Sequence, residues 1–182
     1  MRFQATKIPG LMLIDSQPSG DARGFFARIH SKREFAEHGI RLDADQTSVS
    51  YNRKRGTVRG LHYQLRPFVE AKLVCCVAGS AFDAVVDLRR SSPAFGTAFW
   101  VELKAAEANM VYVPEGCAHG YQTLVDDTAL LYAISAPYDA ASARGVRWND
   151  PALAIPWPEQ KAVHLSDRDR SLPLLAELPA EF

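Results

Sequence analysis

Two of the five histidines in this chain stand among side chains that can move protons or hold anions. His62 lies in Arg59-Gly60-Leu61-His62-Tyr63-Gln64, and His119 in Pro114-Glu115-Gly116-Cys117-Ala118-His119-Gly120. Imidazole changes charge around neutral pH, so each is a candidate general acid or base. His38 closes a short polar segment and suits a helix C-terminus, where the dipole favours a cation. His30 and His164 have no suggestive neighbours. Asp83 and Asp87 alternate with apolar residues in AFDAVVDLR, so a strand there would carry both acids and Val85 on one face, which is expected to line something polar. Cys75 and Cys76 are adjacent and Cys117 is alone, a spacing that makes neither a disulfide framework nor a CxxC metal site. All three are expected to be buried as small hydrophobes.

These residues must be positioned by strands. Short apolar or alternating runs recur about every ten residues, punctuated by Gly, Pro, Asn and Ser, the pattern of an antiparallel sandwich or barrel. The expected strands are GLMLID (from Gly10), GFFARIH (from Gly24), DQTSVSYN (from Asp45), TVRGLHYQ (from Thr57), AKLVCCVAG (from Ala71), AFDAVVDLR (from Ala81), TAFWVEL (from Thr97), NMVYVP (from Asn109), GYQTLV (from Gly120) and TALLYAIS (from Thr128). One helix is predicted, SKREFAEHG, with Ser31 as N-cap, Glu34 three residues on and Gly39 as the stop. Beyond Tyr138 the chain is rich in Pro and poor in periodicity, and reads as a tail packed over the barrel. The fold class is therefore all-β with a few short helices, and residues 1–182 form a single domain.

The bulk properties exclude some functions. The 182 residues carry 21 basic and 21 acidic side chains, a balance that argues against nucleic acid or an anionic membrane as partner. No run approaches the roughly 18 apolar residues of a membrane span, and MRFQATKIPG lacks the apolar region of a secretory signal, so a cytoplasmic location is expected.

Pro114-x-Gly116-x-x-His119, after an apolar strand, resembles the second motif of the cupin superfamily, whose first motif would centre on His62-x-Gln64 with Glu70 and Gly79 downstream. The resemblance implies a cupin-like jelly roll. Metal-binding cupins usually offer a second His where this chain has Gln64, and Glu70 is displaced from the usual spacing, so no metal is expected. Seven motifs, these two among them, occur in register from Ile8 to Pro173. They are Asp21-x-Arg23-Gly24-x-Phe26, Arg59-Gly60-Leu61-His62-x-Gln64, Lys72-Leu73-Val74, Asp87-Leu88-Arg89 with Ser92-Pro93-x-Phe95-Gly96, Pro114 to Gly120, Trp148-Asn149-Asp150-Pro151 and Leu165-Ser166-x-x-Asp169. Together they closely resemble the dTDP-4-dehydrorhamnose 3,5-epimerases and relatives acting on nucleotide-linked 4-keto-6-deoxy sugars.

That resemblance implies proton transfer without a cofactor. A C4 ketone acidifies C3 and C5, so an epimerase needs a base on one face, an acid on the other and a cation for the enolate. By similarity His62 is the base, Asp169 its orienting carboxylate, Lys72 the enolate cation and Tyr132 the opposed acid. Arg23 and Arg59 match diphosphate-binding positions, Arg168 stands at a substrate-binding position where a Lys is common, His119, supported by Asp83, meets the sugar, Tyr138 stacks on the base, and Gln46 lies in the substrate-contacting strand. The strand before RGLH reads Ala44-x-Gln46-x-Ser48-x-Ser50 where the family usually has Q-x-N-x-S-x-S. Arg28, Glu70 and Ala143 replace a common Glu, Gln and Glu, which puts the nucleobase and the 3,5 double inversion in question. The implied partners are a nucleoside-diphosphate 4-keto-6-deoxy sugar and a second copy of the chain, the GLMLID strand offering an edge for a homodimer to cover. The alternatives are a single-site C3 or C5 epimerase, a metal-dependent cupin oxygenase or isomerase, and a jelly roll that only binds a sugar nucleotide.

Overall fold

The computed structural model describes residues 1–161 and 163–179. Thirteen strands and two short helices follow one another as β1 (Arg2–Ala5), β2 (Met12–Asp15), β3 (Ser19–Asp21), β4 (Gly24–Phe26), α1 (Lys32–Glu37), β5 (Gln46–Asn52), β6 (Val58–Gln64), β7 (Lys72–Ala78), β8 (Ser80–Asp87), β9 (Ala98–Lys104), β10 (Asn109–Val113), β11 (Cys117–Thr123), β12 (Thr128–Ile134), β13 (Ala143–Gly145) and α2 (Asp167–Arg170). Two antiparallel sheets face each other, one ordered β1-β2-β10-β7-β12-β5 and the other β13-β6-β11-β8-β9. The expected all-β jelly roll is what forms.

Alternation along each strand sorts the side chains into three apolar layers. Val74, Cys76, Val85, Val111, Cys117, Tyr121 and Leu130 pack between the sheets. The outer face of the five-stranded sheet, with Leu61, Tyr63, Ala84 and Val86, is covered by the tail through Val146, Trp148, Ile155 and Trp157. The outer face of the six-stranded sheet, with Leu73, Cys75 and Met110, is covered by Phe35 of α1 and by Ile40 and Leu42 after it. All three cysteines are buried and unpaired, and burial pushes the thiols of Cys75 to about 11 and Cys117 to about 12.

Helix α1 is built as its sequence implies. Ser31 Oγ accepts from Glu34 N at 3.4 Å, and His38 caps the C-terminus with its ring stacked on Phe3. Other expectations need correction. GFFARIH is a strand only as far as Phe26, because β3 is its sole partner and ends there. The tail holds β13 and α2, and β1 and β3 are further strands too short to show a period. Strand β2, inside GLMLID, is paired on both sides by β1 and β10, so it offers no edge. Asp83 and Asp87 do share a face, but Asp87 is bound by Arg89 and Ser92 Oγ and serves the turn after β8. Among the described residues, no helix is long and apolar enough to cross a membrane.

Candidate active site

A cavity of about 430 Å³ lies between the sheets. Its wall takes Arg59 and His62 from β6 and His119 and Tyr121 from β11 on one side, and Gln46 from β5, Lys72 from β7 and Tyr132 from β12 on the other. Tyr138, Arg144 and Arg168 complete it, Tyr138 largely exposed.

Arg59 and His62 are three residues apart, so a regular strand would point them to opposite faces. The β6–β11 register slips between His119 and Tyr121, and this bulge at Gly60 turns both side chains into the cavity. Gly60 has φ +121°, and a Cβ there would meet Gly120 Cα at 2.6 Å and His119 O at 2.8 Å. Only glycine fits so close an approach.

The bulge also frees the Gly60 N–H, which donates to Asp169 Oδ2 at 3.2 Å, while Asp169 Oδ1 lies 2.6 Å from His62 Nε2. Ser166 Oγ caps α2 by accepting from Asp169 N at 3.1 Å, which fixes the carboxylate's backbone. Burial raises the Asp169 carboxyl, but the hydrogen bond and charge of His62, the Gly60 N–H and Arg168 outweigh it and hold it below the ordinary value. A carboxylate that stays ionised keeps the proton of a neutral imidazole on Nε2 and leaves the Nδ1 lone pair free. The His62 side chain is 36% exposed, so a ligand in the cavity can reach it.

His119 makes the same kind of pair, with Nε2 at 2.7 Å from Asp83 Oδ2, but this one is closed off at 3% exposure. Burial drives the Asp83 carboxyl upward against the opposing charge and hydrogen bond of His119 and the charge of Lys72. The His119 ring stands edge-on to Tyr132 at 5.8 Å. Burial raises the Tyr132 phenol well above its ordinary value, and Tyr121 and Asp83 add to this while Arg59 opposes. A phenol so shifted holds its proton until a stronger base takes it.

Lys72 is buried, its Nζ 2.9 Å from Glu70 Oε1 and donating to His62 O at 3.4 Å. Gln64 is committed elsewhere, donating to Phe68 O, Pro137 O and Glu70 Oε2 and accepting from Asp139 N.

Nine of the ten expected site residues thus belong to one site, eight on the cavity wall and Asp169 bonded to His62. Arg23 does not join them. It sits in the β3–β4 hairpin, 90% exposed, paired with Asp21 and lining a separate shallow cleft. The sequence reading also missed a network behind Arg59. Arg59 Nε donates to Asn52 Oδ1 at 2.8 Å, Asn52 Nδ2 donates to Tyr121 OH at 3.0 Å, and Ser50 Oγ lies 2.7 Å from the same phenol. Its trace in the sequence is the alternation of Gln46, Ser48, Ser50 and Asn52 along β5. Arg144 was missed as well, because β13 is too short to recognise.

Comparison with known proteins agrees with this architecture. The family model described as dTDP-4-dehydrorhamnose 3,5-epimerase matches residues 5–177. A dTDP-4-dehydrorhamnose 3,5-epimerase of Sinorhizobium fredii is 41% identical over 182 residues, covering 100% of this chain and 93% of its own. A dTDP-4-dehydrorhamnose 3-epimerase of Streptomyces niveus is 39% identical over 180 residues, covering 97% and 85%. The crystal structure of an epimerase from Legionella pneumophila in complex with dTDP-4-keto-L-rhamnose superposes with a TM-score of 0.93 at 34% identity, covering 99% of this chain and 95% of that one. An imidazole on one sheet paired with a helix carboxylate, a lysine and a phenol on the facing sheet, and a family match along nearly the whole length lead to one conclusion: the chain belongs to the dTDP-4-dehydrorhamnose 3,5-epimerase family.

Proposed function

We propose that this protein epimerises a nucleoside-diphosphate-linked 4-keto-6-deoxyhexose, of the dTDP-4-dehydro-6-deoxyglucose type, at C3, C5 or both. The observation that carries the reading is the placement of His62 on one sheet, bonded to Asp169 of α2, and of Tyr132 with Lys72 on the sheet facing it. His62 Nδ1 takes the proton from the carbon next to the ketone, and the electron pair moves to the C4 oxygen. Lys72 stabilises that oxygen as it gains charge. Tyr132 O–H then gives a proton to the same carbon from the other side, and the ketone re-forms inverted. The chain's own residues supply every part of this sequence, so it needs no cofactor. Arg59 and Arg168 hold the diphosphate by charge-assisted hydrogen bonds, Tyr138 stacks on the base, and Gln46 and His119 contact the sugar.

The experiment is proton NMR of candidate 4-keto sugar nucleotides incubated with the enzyme in heavy water. Deuterium at C3 and C5 with inversion is the expected result, and deuterium at C3 alone identifies the 3-epimerase that the Streptomyces niveus relative makes a real alternative. No exchange at either carbon in any candidate overturns the assignment.

The working unit in this proposal is a homodimer in the cytoplasm. Support for the first comes from the β3–β4 hairpin, which holds Phe25 and the 75%-exposed Phe26 in water. A second copy covering those rings would also give Arg23 a route to a diphosphate, since it does not line the cavity of its own protomer. Support for the second is that all three thiols are unpaired.

A further inference from the structure

Among the described residues that line the cavity, Glu70 is the only acid, and it stands with Arg59, Lys72, Arg144 and Arg168. A pocket for a dianionic diphosphate and a nascent enolate has no direct use for a carboxylate, so Glu70 needs another explanation. The geometry supplies one. Its Oε2 is held by Gln64 Nε2 at 3.0 Å, and Gln64 is itself pinned by Phe68 O, Pro137 O and Asp139 N. Its Oε1 is left 2.9 Å from Lys72 Nζ, with both side chains about nine-tenths buried. An ammonium withdrawn from water is costly to keep charged without an anion in contact, and a neutral amine offers little to an oxyanion.

We propose that Glu70 is a positioning residue that keeps Lys72 charged and fixed toward the ketone oxygen, so that enolate formation continues to a higher pH than a lone buried lysine would allow. This rests on the reading of Lys72 as the enolate cation. Glu70 touches no reacting atom and moves no proton.

The groups facing Lys72 make the effect readable. Arg59 and His62 of β6, His119 and Tyr121 of β11 and Tyr132 of β12 line the same cavity, with Asp83 of β8 bonded behind His119 and close enough for its carboxyl to feel the lysine charge. Arginines stay charged throughout, and imidazoles as a class belong to the acid limb of a rate profile. Burial pushes the phenols of Tyr121 and Tyr132 upward, and Tyr138 lies at the exposed rim. The charge facing Lys72 Nζ at 2.9 Å is therefore what a change at Glu70 alters.

The test is kcat and KM against pH, from about 6 to 10, for the parent and for Glu70→Gln, Glu70→Asp and Lys72→Met, with melting temperature recorded at each pH. Glu70→Gln keeps the side chain's shape and removes only its charge. It should stay within about threefold of the parent in kcat and KM near pH 7, leave the acid limb in place, and move the alkaline limb down by about one unit or more. Glu70→Asp should return the limb most of the way. Lys72→Met should be slower by about 10² or more at every pH. An unmoved alkaline limb in Glu70→Gln, with Lys72→Met inactive, overturns the role of Glu70 alone. So does a lower melting temperature with both limbs in place, which would mark a structural residue. Full activity in Lys72→Met overturns the enolate-cation reading and this proposal with it.

Discussion

Two cavity-wall histidines are backed by carboxylates at nearly equal length, 2.6 Å for His62–Asp169 and 2.7 Å for His119–Asp83, and the two pairs differ in almost everything else. Both oxygens of Asp169 are bonded, one to the imidazole and one to the Gly60 N–H, and its carboxyl is held low. Among the described residues, Asp83 Oδ1 has no partner, and its carboxyl is driven high by burial. One imidazole is open to the cavity and the other is almost sealed. Hydrogen-bond length therefore says little about which histidine can act as a base. Access and a carboxylate comfortable in its ionised form decide it.

The largest effect expected from this contrast is on proton abstraction. His62→Ala should reduce both epimerisation and deuterium uptake from heavy water by roughly 10² to 10⁴, the contribution of a general base. His119→Ala should keep exchange measurable and lose mainly substrate affinity. If His119→Ala silences exchange as fully as His62→Ala, with both proteins folded, burial is the wrong criterion.

A second experiment sharpens the contrast by leaving both pairs intact. Tyr132→Phe removes the proton donor of the facing sheet, so the enolate still forms, picks up deuterium from the His62 side and returns to its starting configuration. The expected signature is exchange without inversion, read by NMR and mass of recovered substrate. Loss of exchange would place Tyr132 in the base assembly.

The smallest effect is on stability, where the two acids should act with opposite signs. The Asp169 carboxyl is lower in the fold than in the unfolded chain, so its contribution is present above the ordinary carboxylate range and is lost as pH falls through the folded value. The Asp83 carboxyl is higher in the fold, so its ionisation disfavours folding increasingly as pH rises from about 3.8 through the folded value. Melting curves from pH 3 to 7 should show Asp169→Asn converging on the parent toward low pH, and Asp83→Asn gaining on the parent as pH rises. Parallel curves for the two variants would remove the electrostatic distinction between the pairs.

Much of this arrangement was legible beforehand, for identifiable reasons. Strands of seven or eight residues such as β6, β7 and β8 show enough alternation or apolar content to be recognised, whereas β1, β3 and β13 have three or four residues and no measurable period. His62, Lys72 and His119 lie within motifs whose order repeats that of a known family, and Tyr132 was assigned from the strand TALLYAIS and its match to that family's acid position. Asp169 is different. It lies 107 residues from His62, in a tail without periodicity, and only the family likeness pointed to it. The Asn52–Tyr121 support of Arg59 was hidden because a strand read as regular puts Arg59 and His62 on opposite faces, and the slip at Gly60 that corrects this leaves no mark in hydrophobic pattern. Arg23 was placed in the site by its motif yet lies apart from the cavity, because a motif fixes order along the chain and not distance in space.

The contact between Gly60 and Gly120 also bears on how this enzyme can change over time. The offset between Arg59 and His62 is set by two backbones touching, since a methyl group on either glycine would strike main-chain atoms at 2.6 Å. No single side-chain exchange can lengthen or shorten that span, and a change at one glycine would have to be matched at once by a rebuilt partner strand. Ala143 and Arg144, on β13 beside Gln64 and Tyr63 of β6, already carry side chains at the cavity rim. Substitution should therefore be easier at the cavity rim than at the two glycines that set the distance between Arg59 and His62.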